Sequence, residues 1–131
     1  MKKRTVKKMM AAVAMTLLFS STFVYGAAGS FSWTLNPTQT AYTSARTKTS
    51  SSYYATVNQT STASNTDYTV VNASNNSVSG KETIYGAGSK SIRYAYDVES
   101  VLLNASLKLK AYNDPAKNNG GSRTVTGTWT P

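Results

Sequence analysis

The sequence predicts an all-β protein: a single antiparallel β-sandwich of seven or eight short strands, preceded by a signal-peptide helix. After residue 28 the apolar residues recur with period two, as in half-buried strands, and no window shows the period of an α-helix. Turn-forming Gly, Pro, Asn and Asp separate these segments at intervals of roughly ten to fifteen residues. A small barrel is the alternative arrangement.

Residues 1–28 form the predicted secretory signal peptide. Five basic residues precede an apolar stretch of about 16 residues. Gly26, Ala27 and Ala28 then supply the small side chains at which a signal peptidase cleaves. The sequence therefore predicts a signal peptide over 1–28 and one β-sandwich domain over 29–131. It also predicts a secreted, extracellular protein, with association with the cell wall as a further possibility.

The strand pattern is clearest in five segments of alternating apolar and polar residues, which are 31–36, 53–58, 92–98, 105–112 and 124–130. Weaker strand candidates are 42–49, 66–73 and 78–85. Threonine and tyrosine are abundant here and favour strands, because β-branched and aromatic side chains pack well on a pleated surface. We expect four rings on the inward phase of their strands to fill the core, namely Trp33, Tyr94, Tyr96 and Trp129.

Residues 113–122 are the most loop-like part of the chain, with Asp114-Pro115 at one end and Gly120-Gly121 at the other. They separate two clear strands, so the sequence predicts a hairpin with a long tip. A tip of about ten residues exceeds the usual two to five. We interpret it as a tolerated insertion.

The charge of the domain is modest once the signal peptide is set aside. The whole chain has 14 basic and 5 acidic residues, net +9. Five of the bases lie within residues 1–28, so residues 29–131 carry nine bases against five acids, net +4. These bases are scattered, which argues against nucleic-acid binding and leaves a cell-wall polymer or an extracellular protein as the expected partner. We expect no membrane span in the mature chain, since no segment there is long and apolar enough.

Several kinds of chemistry are excluded because the chain contains no His and no Cys. Ser–His and Cys–His catalysis, zinc sites and disulfides all need one of these residues. Paired-carboxylate hydrolysis would have to use the acidic residues of the domain, which are Asp67, Glu82, Asp97, Glu99 and Asp114. We interpret Asp97 and Glu99 as a solvated strand end. The sequence predicts a protein that is not an enzyme and needs no cofactor or metal.

Four residues are candidates for a binding surface. Lys108, Lys110 and Tyr112 share the outer face of one predicted strand, and Tyr54 lies on the outward phase of another. Exposed rings of extracellular β-sandwiches can serve as platforms for sugars or peptides, since a ring combines apolar area with a polar edge. Lysines on an exposed strand are also a common guard against edge-to-edge aggregation, and that alternative stays open.

Six short segments between residues 40 and 131 carry a resemblance to a known family. They are Arg46-Thr47-Lys48-Thr49, Val78-Ser79-Gly80, Gly86-Ala87-Gly88-Ser89, Tyr94-Ala95-Tyr96, the run from Leu107 to Asn113 and the run from Val125 to Trp129. Together with the signal peptide they resemble a family of small secreted Gram-positive bacterial proteins whose function is unknown. The resemblance implies a compact secreted domain and brings no catalytic residues. A weaker similarity is to small cationic secreted bacteriocins that end near a tryptophan.

The leading hypothesis is a secreted, non-enzymatic protein that binds a cell-wall polymer, a carbohydrate or another protein. One alternative is a bacteriocin-like antagonistic toxin, which the positive charge and the amphipathic strands favour. Another is a self-assembling protein of an extracellular matrix or coat, which the many short Thr-rich strands favour.

Overall fold

Two antiparallel β-sheets form the fold, which confirms the predicted β-sandwich. The structure, a computed structural model, describes residues 28–131, so the predicted signal-peptide helix, with Gly26 and Ala27, lies outside the described residues. Within that range there are nine strands: β1 Gly29–Leu35, β2 Thr40–Tyr42, β3 Arg46–Thr47, β4 Tyr54–Gln59, β5 Asn65–Asn72, β6 Ser77–Tyr85, β7 Gly88–Arg93, β8 Ser106–Tyr112 and β9 Arg123–Thr130. A single 3-10 turn, Glu99–Val101, lies between β7 and β8. No helix in the described range could cross a membrane.

The strands divide into a four-stranded sheet A and a five-stranded sheet B. Sheet A has the order β1-β9-β4-β7, and sheet B has the order β2-β8-β5-β6 with the short β3 also paired to β8. The consecutive strands β6 and β7 are edge strands of different sheets, and an antiparallel bridge joins Ser79 of β6 to Tyr94, the residue after β7. The chain itself therefore closes this side of the sandwich.

The core lies between the two sheets and is filled by the inward residues of the alternating segments. Its fully buried members include Ala55, Val57, Ile92, Leu107, Leu109, Ala111 and Val125. Tyr94 and Trp129 are buried, as predicted, and Trp33 is half-buried against the same cluster. The alternation of apolar and polar residues thus reports the inward face correctly in these strands.

The prediction for Tyr96 is wrong, because the strand expected over residues 92–98 ends before this residue. β7 stops at Arg93, and the backbone N–H groups of Val98 and Glu99 then both donate to the carbonyl of Ala95, at 3.2 and 3.0 Å. This turn carries the Tyr96 side chain out of the core and leaves it 79% exposed.

The predicted hairpin at residues 113–122 is also wrong, because β8 and β9 belong to different sheets. The connection crosses the end of the sandwich and is anchored by two buried asparagines. The Asn118 amide donates to the Asn113 side chain at 2.7 Å and to the Asn65 carbonyl at 2.8 Å. The Asn113 amide donates to the Leu35 carbonyl at 2.9 Å. The segment therefore ties sheet A to sheet B and is not a tolerated insertion.

Candidate functional site

Three exposed tyrosines gather around one arginine at an end of the sandwich, and we call Tyr53, Tyr54, Tyr96 and Arg93 the tyrosine surface. Tyr54 begins β4 and pairs with Arg93 at the end of β7, so their side chains share the outer face of sheet A. Tyr53 directly precedes β4, and Tyr96 comes from the turn that follows β7. The three rings are 52%, 49% and 79% exposed, respectively.

Arg93 holds this surface together. Its guanidinium carbon lies 4.9, 5.4 and 4.3 Å from the ring centroids of Tyr53, Tyr54 and Tyr96, within the range of cation–π attraction. It also donates to the Tyr53 carbonyl at 3.2 Å and pairs with a Glu99 carboxylate oxygen at 2.5 Å. Desolvation works against the charged form, but the bonds to Glu99 and Tyr96 raise the pKa of Arg93 above its ordinary value. The rings are therefore arranged around a permanent cation.

A cleft of about 270 Å³ adjoins the tyrosine surface, and it is lined by Lys48, Ser51, Tyr53, Glu99, Ser100 and Leu103. The Lys48 ammonium is buried, donates to the Ser50 carbonyl and lies 5.1 Å from the centroid of the Tyr94 ring. Burial lowers the pKa of Lys48. The lining therefore combines a ring and an aliphatic side chain with hydroxyl, ammonium and carboxylate groups.

The interpretation of Asp97 and Glu99 as a solvated strand end is wrong. Neither residue lies in a strand, because the chain turns after β7 and Glu99 begins the 3-10 turn. Glu99 is largely shielded and pairs with Arg93, whereas Asp97 is exposed. The two carboxylates thus have separate environments, and only Glu99 lines the cleft.

A second concavity, of about 280 Å³, lies on the outer face of sheet B. We call it the lysine cleft, and its lining residues are Thr40, Asp67, Thr69, Lys81, Lys110, Tyr112 and Asp114. Thr69 of β5 pairs with Lys110 of β8 on one side and with Lys81 of β6 on the other, which places both lysines on one face. β8 is an internal strand of sheet B, so the alternative that its lysines guard a sheet edge is wrong.

Asp67 forms the floor of the lysine cleft and is only 3% exposed. The Lys117 ammonium lies 2.6 Å from one carboxylate oxygen, and the Thr83 hydroxyl donates to the same oxygen at 2.6 Å. The Lys81 ammonium lies 3.7 Å from the other oxygen. Burial alone would raise the pKa of Asp67, but the Lys117 and Thr83 hydrogen bonds and the two lysine charges outweigh it and lower the pKa.

Asp67 is expected to make stability depend on pH in the acid range. Its folded pKa lies below its unfolded value of about 3.9, so its contribution is complete above about pH 5 and is lost as the pH falls through the folded pKa. Asp67→Asn should lower the free energy of unfolding at pH 7 by about 1–3 kcal/mol, and this difference should shrink below about pH 4. Urea melts of both proteins at pH 7 and pH 3 measure it. A difference that is equal at the two pH values would contradict this contribution of the Asp67 carboxylate.

The two lysines of β8, Lys108 and Lys110, differ in their partners. The Lys108 ammonium donates to the Asn75 side chain at 2.9 Å and lies 5.7 Å from the Tyr42 ring centroid. Lys110 makes no hydrogen bond or ion pair with any part of the chain from residue 28 onwards. Its charge is therefore available to a ligand in the lysine cleft.

The structure places the four predicted surface residues at two sites. Lys108, Lys110 and Tyr112 lie together on the outer face of sheet B, while Tyr54 belongs to the tyrosine surface of sheet A. Comparisons with family models, with curated proteins and with solved structures found no match to this chain. The two sites are therefore interpreted from their own chemistry.

Proposed function

We propose that this protein is secreted and binds carbohydrate without catalysis, through the tyrosine surface and the cleft beside it. The observation that carries the proposal is the set of three exposed rings around Arg93. Each ring offers apolar area to the C–H face of a sugar, and the groups beside it can bond to hydroxyls. Arg93 supplies N–H donors, and the cleft adds the Glu99 carboxylate and two serine hydroxyls.

The contacts of Arg93 support the proposal further, because they arrange the rings before any ligand arrives. Three side chains from β4, the segment before it and the turn after β7 are held around one guanidinium. A preorganised surface loses less side-chain freedom on binding and so retains more of its interaction energy.

The size and lining of the cleft favour carbohydrate over a protein partner. Its volume of about 270 Å³ lies just below the roughly 300–1,000 Å³ of pockets that bind drug-sized ligands. A cleft of this size suits a single sugar ring. Most enzymes that hydrolyse glycosidic bonds use two carboxyl groups roughly 5–9.5 Å apart. Of the described residues, only one carboxylate, Glu99, lines the cleft, and it is paired with Arg93. Binding without cleavage therefore fits the site best.

Tyr96→Ala is expected to weaken binding to the preferred polysaccharide about tenfold, because it removes the most exposed ring of the tyrosine surface. The measurement is co-sedimentation of the purified protein with insoluble peptidoglycan, chitin, cellulose and a purified Gram-positive wall. Tyr85→Ala is the matched control, since Tyr85 is 65% exposed on β6 and lies outside the tyrosine surface.

Three results would overturn the proposal. The wild-type protein could sediment with none of these polysaccharides, or Tyr85→Ala could lose as much binding as Tyr96→Ala. Binding to the wall that disappears after the wall is treated with protease would show instead that the tyrosine surface docks onto a protein.

A further inference from the structure

We propose that the lysine cleft is a second binding site, separate from the tyrosine surface, and that it holds a phosphate group of an anionic extracellular polymer. The cleft is concave, with an opening on the outer face of sheet B. It offers hydrogen-bond donors of the kinds that bind phosphate oxygens. These donors are the ammonium groups of Lys81 and Lys110 and the hydroxyls of Thr40, Thr69 and Tyr112.

The charged side chains around the lysine cleft include one more lysine than carboxylates. Lys117 pairs with Asp67 at 2.6 Å and lies 3.8 Å from Asp114. Lys81 stands 3.7 Å from the second Asp67 oxygen and is itself mostly exposed. Three lysines therefore face two carboxylates, and Lys110 is the one without a carboxylate partner among the described residues. An anion bound beside Lys110 would neutralise this excess positive charge.

Asp67 does not prevent an anion from binding, because its charge is already compensated. Its two oxygens are engaged by Lys117, Thr83 and Lys81, and it lies beneath the surface. Asp114 is different, since within residues 28–131 its one cation partner is Lys117, at 3.8 Å, and it lines the opening. Asp114 should therefore repel an anion and weaken its binding.

The extent of the site favours a phosphate of an extracellular polymer over nucleic acid. Among the described residues on the outer face of β8, Lys110 and Lys108, two residues apart, carry charge that no carboxylate offsets. Proteins that bind nucleic acid through its backbone contact roughly six to ten phosphates and carry a basic stripe. One or two lysines in a cleft fit a single phosphate of a chain.

The test is a titration of the ¹⁵N-labelled protein with inorganic phosphate, followed by amide chemical shifts, with sodium chloride added at equal ionic strength as the reference. We expect saturable shifts for residues of β5, β6 and β8 around the cleft. Lys110→Gln should weaken phosphate binding about tenfold. Lys110→Arg should retain it, and Asp114→Asn should strengthen it. Lys90→Gln, an exposed lysine on β7, is the matched control and should leave it unchanged.

Shifts no larger than those with chloride would overturn the proposal, as would undiminished phosphate binding by a folded Lys110→Gln protein with an unchanged melting temperature.

A further titration compares a poly(glycerol phosphate) oligomer with a single-stranded oligonucleotide of equal charge. Tighter binding of the first is expected, and tighter binding of the oligonucleotide would contradict an extracellular polymer as the source of the phosphate. Tyr96→Ala leaves the lysine cleft intact, so this variant should still bind phosphate. Its phosphate and carbohydrate binding therefore test the two sites independently.

Discussion

Replacing Trp129 with alanine is expected to lower the free energy of unfolding by about 3–5 kcal/mol, the largest effect of any single side chain considered. Trp129 is 1% exposed and lies on β9, an internal strand of sheet A. Its backbone pairs with β1 and β4, and its ring belongs to the core cluster, so the hole left by the ring would open in the core between the two sheets. Such a loss is a large part of the roughly 5–15 kcal/mol that stabilises a domain.

Two control variants test the cause of this loss by thermal and urea melts. The indole N–H of Trp129 has no hydrogen-bond partner within residues 28–131, so Trp129→Phe removes no bond while keeping an aromatic ring. Its cost should be less than half that of the alanine variant. Lys108→Ala, on the outer face of β8, should change stability by no more than about 0.5 kcal/mol. Equal, small shifts for Trp129→Ala and Lys108→Ala would contradict the central role of the tryptophan.

Gly127→Ala is expected to cost about 3 kcal/mol, although it adds a single methyl group. A β-carbon at this position would clash with the Asn58 carbonyl oxygen and would lie 2.7 Å from the ring of Phe31. Phe31 is the cross-strand partner of Gly127 on β1, and its ring packs against the space that the missing side chain leaves. Because the closest atom belongs to the backbone of β4, relief would require strands of sheet A to move apart.

Gly80→Ala provides the matched control for this substitution. Gly80 is also a strand residue, but a β-carbon added there meets no atom within 4 Å. The substitution should be neutral or should stabilise the fold by up to about 1 kcal/mol, because alanine restricts the unfolded chain. The difference between the two variants is measured by their urea midpoints. Similar midpoints would contradict the close approach of β4 and Phe31 to Gly127.

The sandwich could be predicted from the sequence because strand periodicity is local. Ala55 and Val57, or Leu107 and Leu109, are buried where they fall on the apolar phase of a strand. The end of a strand depends on interactions that the pattern does not contain. Tyr96 continues the alternation of Ile92 and Tyr94, yet the backbone bonds to the Ala95 carbonyl place Tyr96 in a turn.

The connection at residues 113–122 could not be assigned for a similar reason. Two amphipathic strands joined by a loop have the same pattern whether they pair in one sheet or lie in opposite sheets. Asn118 decides the arrangement through its hydrogen bonds to two other asparagines. Asn65 is 53 residues away in the sequence, and Asn113 is five residues away. A buried asparagine in a loop carries no sequence signal that distinguishes it from a solvated one.

The candidate sites were only partly predictable. The period of two places Lys108, Lys110 and Tyr112 on one outer face, and the structure has them there. The tyrosine surface was missed except for Tyr54, because it combines β4, β7 and the turn after β7 through a register that the sequence does not encode locally. One sequence signal for this surface was available. Arg93 lies on the outward phase of its predicted strand, between the inward residues Ile92 and Tyr94.

Chemical-shift mapping of the ¹⁵N-labelled protein with a soluble fragment of its preferred polysaccharide tests the proposed function most directly. Saturable shifts are expected at the amides of the tyrosine surface and of Glu99, and none on the outer face of sheet B. Shifts confined to the lysine cleft, or spread evenly over the surface, would contradict carbohydrate binding at the tyrosine surface.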